Sequence, residues 1–429
     1  MSRSPLPHDD EAAYDRDRAA RFLDGAARAD GVSRRALLGL LAAAPTALLT
    51  GTDRAAAAPA GPAAGLATVV KPLPPEHYRV LGTNAETRWE ALRGSGFTTP
   101  NSHFFVRNHT ATPLIDPSAW RLRVWGSGLR GAPSPENAVV FGLRELRRLP
   151  AVERAVLVEC AGNGRGFYAW QQGQEVSGTD WGLGAIGLAR WRGVRLADVL
   201  HRAGVTSRAV DVMPRGLDAP VTSGGVELGR VRRPLPLAKA LDDVLLAYEM
   251  NGEPLPPDHG GPVRVVVPSW VGISSVKWVG DIEVSDTALH SPWNTELYRL
   301  FGPRHPEGGS APLTRQTVKS AFELARDIEV RAGRTHRLHG RSWSGLGTVR
   351  SVEVSTDGGA RWQRAPLRDS PRRDAWVRWE LPWRPARRGP VDLLARATDS
   401  AGRTQPAESV HNTQGYLFDA VVRHRVQVV

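Results

Sequence analysis

Between about residues 76 and 305 the apolar positions fall in short, dissimilar runs. Residues 155–159 are largely apolar and stop at Cys160, and residues 264–267 form a second run closed by Pro268, so both read as buried strands. Residues 196–200 carry the spacing of a helix. The runs do not follow a regular strand, helix, strand rhythm, which predicts an α+β domain over 76–305 rather than a doubly wound sheet. Beyond Leu313 the texture changes. Val352 and Val354 alternate with polar residues before Asp357-Gly358-Gly359, and Val391, Leu393, Ala395 and Ala397 do so before Asp399-Ser400-Ala401-Gly402. Such alternation, punctuated by Gly-containing turns, predicts an all-β sandwich over 313–429.

The 429 residues suffice for two or three domains with buried cores, and 41% hydrophobic with 23% charged residues is the balance of a folded globular protein. Residues 59–75 hold five prolines among Ala and Gly and read as a linker or an extended arm. Ahead of them, Ser33-Arg34-Arg35-Ala36-Leu37-Leu38 opens an apolar stretch over 36–50 that gives way to an alanine run at 55–58. This is the pattern of a twin-arginine signal over 1–58, cleaved near Ala58. The stretch is about 15 residues long and contains Pro45, against the ~20 residues a spanning helix needs. No stable membrane span is therefore expected after cleavage, and the protein is expected in the periplasm or another extracytoplasmic space. The route carries proteins already folded, which adds weight to a bound redox cofactor.

The formal charge is +12, and residues 1–58, with 8 Arg and 8 acidic residues, leave it unchanged when removed. Only 4 of the 56 cations are Lys, and the 52 Arg are scattered without a long basic tract. This reads first as a codon-biased Arg-rich surface and second as one that attracts anionic substrates or acidic partners; a nucleic-acid interface is not expected. The single cysteine excludes a disulfide framework within the chain, a Cys-rich zinc site, a Cys-ligated iron–sulfur cluster and a C-x-x-C-H haem attachment. Taken alone, Cys160 would be an inert buried thiol. Its setting in Val158-Glu159-Cys160-Ala161-Gly162-Asn163-Gly164-Arg165 argues otherwise. A strand-end cysteine followed by two glycines leaves the backbone open to a ligand, and Arg165 favours the thiolate. A soft thiolate suits a redox metal, but one cysteine cannot hold a bare ion, so an organic cofactor would supply the other donors.

Six segments occur in order: Phe105-Val106-Arg107-Asn108-His109, Cys160-Ala161-Gly162-Asn163-Gly164-Arg165, Leu245-Leu246-Ala247-Tyr248-Glu249-Met250-Asn251-Gly252, Asp258-His259-Gly260, Arg264-Val265-Val266-Val267-Pro268 and Ser275-Val276-Lys277-Trp278. Together they resemble the sulfite oxidase family of molybdenum enzymes over roughly residues 70–429. The resemblance implies a molybdopterin-binding domain over 76–305 and an immunoglobulin-like dimerisation domain over 313–429, hence a homodimer. It implies Cys160 as the ligand of molybdenum beside the dithiolene of one molybdopterin. Phe105, Val106, Arg107, Asn108, His109, Asp218, His259, Arg264, Ser275, Val276 and Lys277 would line that cofactor, with cations suited to its phosphate tail. Tyr298 matches the family's active-site tyrosine and, with Arg107 and Arg165, would form the catalytic anion pocket.

Two positions depart from the vertebrate and plant pattern. Gly164 stands where a second consecutive arginine is common, and Gln414 stands where another substrate-pocket arginine is found. Each change removes a guanidinium able to grip an oxyanion with two hydrogen bonds. The implied activity is oxidation of sulfite to sulfate by oxygen-atom transfer. No intrinsic haem site is apparent, so electrons would pass to an external acceptor such as an exported cytochrome c. A sulfane-sulfur dehydrogenase subunit, a nitrate reductase and direct reduction of oxygen are the alternatives within the family. Outside it stands an exported binding protein for anionic cell-wall polymers.

Overall fold

The computed structural model describes residues 68–429. The expected signal over 1–58 and residues 59–67 of the expected linker lie outside the described residues. Strands dominate, and the longest α-helix among the described residues is Leu196–Ala203. Beside two two-stranded sheets, Tyr78–Leu81 with Asn84–Thr87 and Val221–Ser223 with Val226–Gly229, two five-stranded sheets form the body of the first domain. One runs in the order Leu235–Pro236, Asp211–Gly216, Val279–Ser285, Arg121–Trp125, Val139–Gly142, with a single parallel pair between Val279–Ser285 and Arg121–Trp125. The other runs Glu253–Pro254, Leu245–Met250, Ile186–Arg195, Ala151–Glu159, with Arg264–Val266 also paired to Leu245–Met250, and is antiparallel throughout.

The strand expected over 155–159 is thus the end of the longer Ala151–Glu159, the helix expected over 196–200 runs on to Ala203, and the strand over 264–267 stops at Val266. Leu196, Val199, Leu200 and Ala203 share one helical face at i, i+3, i+4 and i+7, and the helix ends where Gly204 takes φ 86°. That face joins the largest core, where Leu122, Val124 and Ile282 of the first sheet meet Val194, Leu246 and Val265 of the second.

The end of Ala151–Glu159 is buried on both faces, which explains its continuous apolar character. Val156, Val158 and Cys160 pack with Phe104, Phe105 and Trp191 on one face. Leu157 packs on the other with Trp343, Trp376 and Phe418, all from the C-terminal part of the chain.

In that C-terminal part, Lys319–Phe322, His336–Trp343 and Val377–Trp383 form one sheet. Glu329–Val330, His424–Val428, Gly389–Asp399, Val349–Ser355 and Gln363–Arg364 form the other. Val352, Val354, Leu393, Ala395 and Ala397 all point into the core the two sheets share, so the alternation in the sequence is the inward face of the two strands.

Of the two readings of residues 59–75, linker or extended arm, the described residues 68–75 take the second. Val69 packs with Tyr78, Ala85 and Val106, and the N–H groups of Val70 and Lys71 donate to the Asp258 carboxylate at 2.9 and 2.7 Å. Residues 68–75 are a docked arm: their prolines remove strand-pairing donors, and side-chain contacts hold the extended chain instead.

Candidate cofactor site

Cys160 follows directly on the strand Ala151–Glu159. Its N–H donates to Ala185 O at 2.9 Å and its carbonyl accepts from Asn163 N at 2.9 Å. The turn that follows is tight. A Cβ at Gly162 would lie 2.8 Å from the Arg165 guanidinium, and Gly164 has φ 93° with Phe418 3.1 Å from the place of its missing Cβ.

The cysteine lines a cleft with about 700 Å³ of empty space, counting the part open to solvent. Phe105, Arg107, Asn108, His109, Asp218, His259, Arg264, Ser275, Val276, Lys277 and Tyr298 line the same cleft. Val106 and Arg165 do not. Extended backbone sends Phe105 and Arg107 to one side and Val106 to the other, against Val69, Tyr78 and Ala85. Arg165 is buried beside the tyrosines: its Nε donates to Gln414 O at 2.9 Å, its Nη1 donates to Thr179 O at 3.0 Å, and its guanidinium lies 5.2 Å from the Tyr416 ring centre.

The cleft concentrates positive charge. Lys277 Nζ donates to the Asn108 side-chain oxygen and, at 2.8 Å, to Asp258 O; Arg264 donates to His259 O and Ser275 O at 2.9 Å each. Burial, then Arg264 and Arg107, hold Lys277 well below the usual lysine range. Burial alone pushes Arg264 down to about 9, where it still carries its charge at neutral pH. His109 and His259 are held well below the histidine range, first by burial and then by the cations around them, so both are neutral. Trp293 Nε1 donates to His109 Nε2 at 3.3 Å, which leaves the proton of His109 on Nδ1.

Burial pushes Asp218 up to about 6. One of its carboxylate oxygens, and Nη1 of Arg107, are buried without a hydrogen-bond partner. Such orphaned groups mark where a polar ligand belongs. The residues fit a molybdopterin: cations for a phosphate tail, an unpaired carboxylate oxygen for ring N–H groups, and one thiolate for the metal. Among the described residues no three His, Cys, Asp or Glu side chains converge, so a metal at Cys160 would draw its other ligands from such a cofactor.

Tyr298 and Arg107, two of the residues expected to form an anion pocket, line the cleft together with the thiol. Burial, with Cys160 adding to it, raises the Tyr298 phenol above its usual range against the opposing pull of Arg107 and Arg165, so it stays protonated. Burial works against the charge on Arg107, but its surroundings, a hydrogen bond to Cys160 among them, more than offset it and hold the guanidinium more firmly protonated than usual. Tyr298 has φ 58°, uncommon for a bulky residue; Leu313 N donating to its carbonyl at 2.8 Å and a stack on Tyr416 hold it there.

Sequence reasoning missed three participants. Tyr416, two residues past Gln414, supplies that stack. Asp258 accepts from the arm and, at 2.6 Å, from Thr112 Oγ1. Lys71 Nζ donates to Tyr78 OH at 2.6 Å, to Asn101 O at 3.1 Å and to Phe104 O, and lies 3.3 Å from His259 Nε2; burial lowers it to about 7 against the pull of Asp258. One signal was available. In a chain whose cations are almost all arginine, the four lysines are all buried or half-buried.

Two family models match the chain: an oxidoreductase molybdopterin binding domain over residues 109–293 and a Mo-co oxidoreductase dimerisation domain over 315–429. Fold and site therefore define a molybdopterin-binding oxidoreductase. The chain is 38% identical over 364 residues to the mitochondrial sulfite oxidase of Mus musculus, covering 81% of this chain and 64% of that protein. It is 37% identical over 356 residues to the sulfite oxidase of Gallus gallus, covering 79% and 74%. The chain belongs to the sulfite oxidase family. It spans 64% of the length of the mammalian relatives it matches. Among solved structures, the sulfane dehydrogenase SoxCD from Paracoccus pantotrophus aligns with a TM-score of 0.69 at 27% identity, covering 81% of this chain and 85% of that one.

Proposed function

We propose that this protein oxidises sulfite to sulfate outside the cytoplasm and passes the electrons to an external acceptor such as cytochrome c. The observation that carries the reading is the convergence of Cys160, Arg107 and Tyr298 on one wall of a cation-rich cleft. When bound, the molybdenum cofactor supplies oxygen-atom transfer and takes up the two electrons.

The chain supplies the rest. Phe105, Asn108, His109, Asp218, His259, Arg264, Ser275, Val276 and Lys277 would hold the cofactor, and Cys160 would ligate its metal. Arg107, charged and with a free Nη1, binds the dianion and offsets part of its charge. Tyr298, kept protonated, donates a hydrogen bond to an anion oxygen and sits where a proton can be passed on. Arg165 acts behind them, holding Tyr416 and the 414–416 backbone in place. Twin-arginine export over 1–58, an immunoglobulin-like reading of the C-terminal sheets and a homodimer through them belong to the same proposal. The matched dimerisation model supports the last of these.

A second reading, oxidation of sulfane sulfur, is favoured by the solved relative and by Gln414, an amide where a guanidinium would better grip a small dianion. Initial-rate assays of cytochrome c reduction with sulfite, thiosulfate and a persulfide separate them. Sulfite is expected to give the highest kcat/KM. Turnover of the sulfane donors with none of sulfite would replace the first reading with the second.

A further inference from the structure

Strand alternation puts Cys160 and Glu159 on opposite faces of one strand end. The thiol faces the cofactor cleft, and the neighbouring carboxylate faces the C-terminal domain. There Glu159 is closed in completely. Its Oε1 accepts from Lys319 Nζ at 2.8 Å and from Asn163 Nδ2 at 2.9 Å, and its Oε2 accepts from Trp343 Nε1 at 3.1 Å. Lys319 Nζ also donates to Asn163 O at 2.8 Å. Glu159 and Lys319 are each only 2% exposed.

Asn163, fully buried, carries the constraint onward. Its Oδ1 accepts from Ala185 N at 2.9 Å and its N–H donates to Cys160 O, while Cys160 N donates to Ala185 O. The cysteine is thus fixed through Asn163, which Lys319 holds, and through Ala185, which Asn163 holds in turn. Lys319 and Trp343 come from the strands Lys319–Phe322 and His336–Trp343, both in the C-terminal domain. A buried ion pair is a weak stabiliser once desolvation is counted, so stability is a poor reason for one beside the thiol.

We propose that Lys319 is a positioning residue for the Cys160 loop, acting through Glu159 and Asn163. The C-terminal domain then completes the metal-binding geometry within its own chain, whatever it does in a dimer. This rests on the reading of Cys160 as the metal ligand.

The test compares Lys319→Met with the neutral pair Lys319→Met and Glu159→Gln, which keeps the volume and leaves no unpaired buried charge. In the full chain made without cofactor, iodoacetamide should alkylate Cys160 about tenfold faster in both variants. In the loaded protein, metal retention should fall by a similar factor with a changed paramagnetic resonance signal. A folded neutral pair with the wild-type alkylation rate and signal overturns the proposal. Loss of near-ultraviolet circular dichroism in both variants also overturns it, because the pair would then be a structural staple only. A wild-type chain free of molybdenum after expression in a cofactor-producing host refutes the functional reading instead, and the alkylation comparison still decides the positioning.

Discussion

Tyr298 and Tyr416 stack with 5.1 Å between ring centroids and 14° between planes, so a tyrosine from the C-terminal domain forms the floor under the pocket tyrosine. Arg165 lies against the other partner, its guanidinium 5.2 Å from the Tyr416 ring centre. A pair of this kind contributes about 0.5–1.5 kcal/mol beyond its burial, which corresponds to a rate factor of roughly two to ten. Tyr416→Ala is expected to lower kcat/KM for sulfite by about tenfold, and Tyr416→Phe, which keeps the ring, by about twofold or less. Steady-state kinetics on the two variants check this; equal losses would show that the hydroxyl rather than the stack matters.

Among the described residues that line the cleft, Arg107 is the one cation with a buried guanidinium nitrogen that lacks a hydrogen-bond partner. Hydrogen bonds to a charged partner are worth about 1.5–3 kcal/mol each, so Arg107→Gln should cut kcat/KM for sulfite by about ten- to a hundredfold. Molybdenum content measured on the same samples separates lost substrate binding from lost cofactor. An unchanged kcat/KM at full metal content would remove Arg107 from the pocket.

Asp218 gives the cofactor-free chain a pH dependence of known sign. Its carboxyl is raised from 3.8 to about 6 in the fold by burial, so between these values the folded state holds a proton that the unfolded state has lost. Its favourable contribution is complete below 3.8 and disappears as pH rises through about 6. Asp218→Asn should therefore gain stability over the wild type from pH 4 to pH 7.5, by an amount on the order of 3 kcal/mol. Urea unfolding at the two pH values measures the difference; parallel pH slopes in both proteins would contradict the burial argument.

Placing at position 164 the arginine that the family resemblance implies should fail. The residue has φ 93° and Phe418 stands 3.1 Å from any Cβ, so Gly164→Arg meets both backbone strain and a clash. The strain alone costs about 1–3 kcal/mol. A lower Tm without a gain in kcat/KM for sulfite is expected, and an unchanged Tm with improved sulfite use would show that the loop can re-form around a side chain.

The parts of the site legible in the sequence are those whose chemistry is local. Cys160 stands out because a strand ends on it and glycines follow, and Val352 and Leu393 declare their sheet by alternation over a few residues. Lys71 left only the faint mark of a rare lysine, since it sits in a proline-rich stretch whose burial depends on Asp258, far along the chain. Lys319 was hidden for the same reason: its partner Glu159 belongs to another domain, and only the folded chain brings the charges to 2.8 Å. Val106 shows the reverse error. It shares a motif with residues that line the cleft, but a motif does not reveal which side of an extended segment each side chain takes.

If Cys160 holds molybdenum for sulfur chemistry, the metal content of the purified full chain shows it. Wild-type protein from a host that makes molybdopterin should carry about one molybdenum per chain, and Cys160→Ser should keep its fold and lose sulfite turnover, because a hydroxyl replaces a soft thiolate at nearly constant size. Wild-type protein with no molybdenum, or a Cys160→Ser variant that keeps both metal and turnover, would remove Cys160 as the metal ligand.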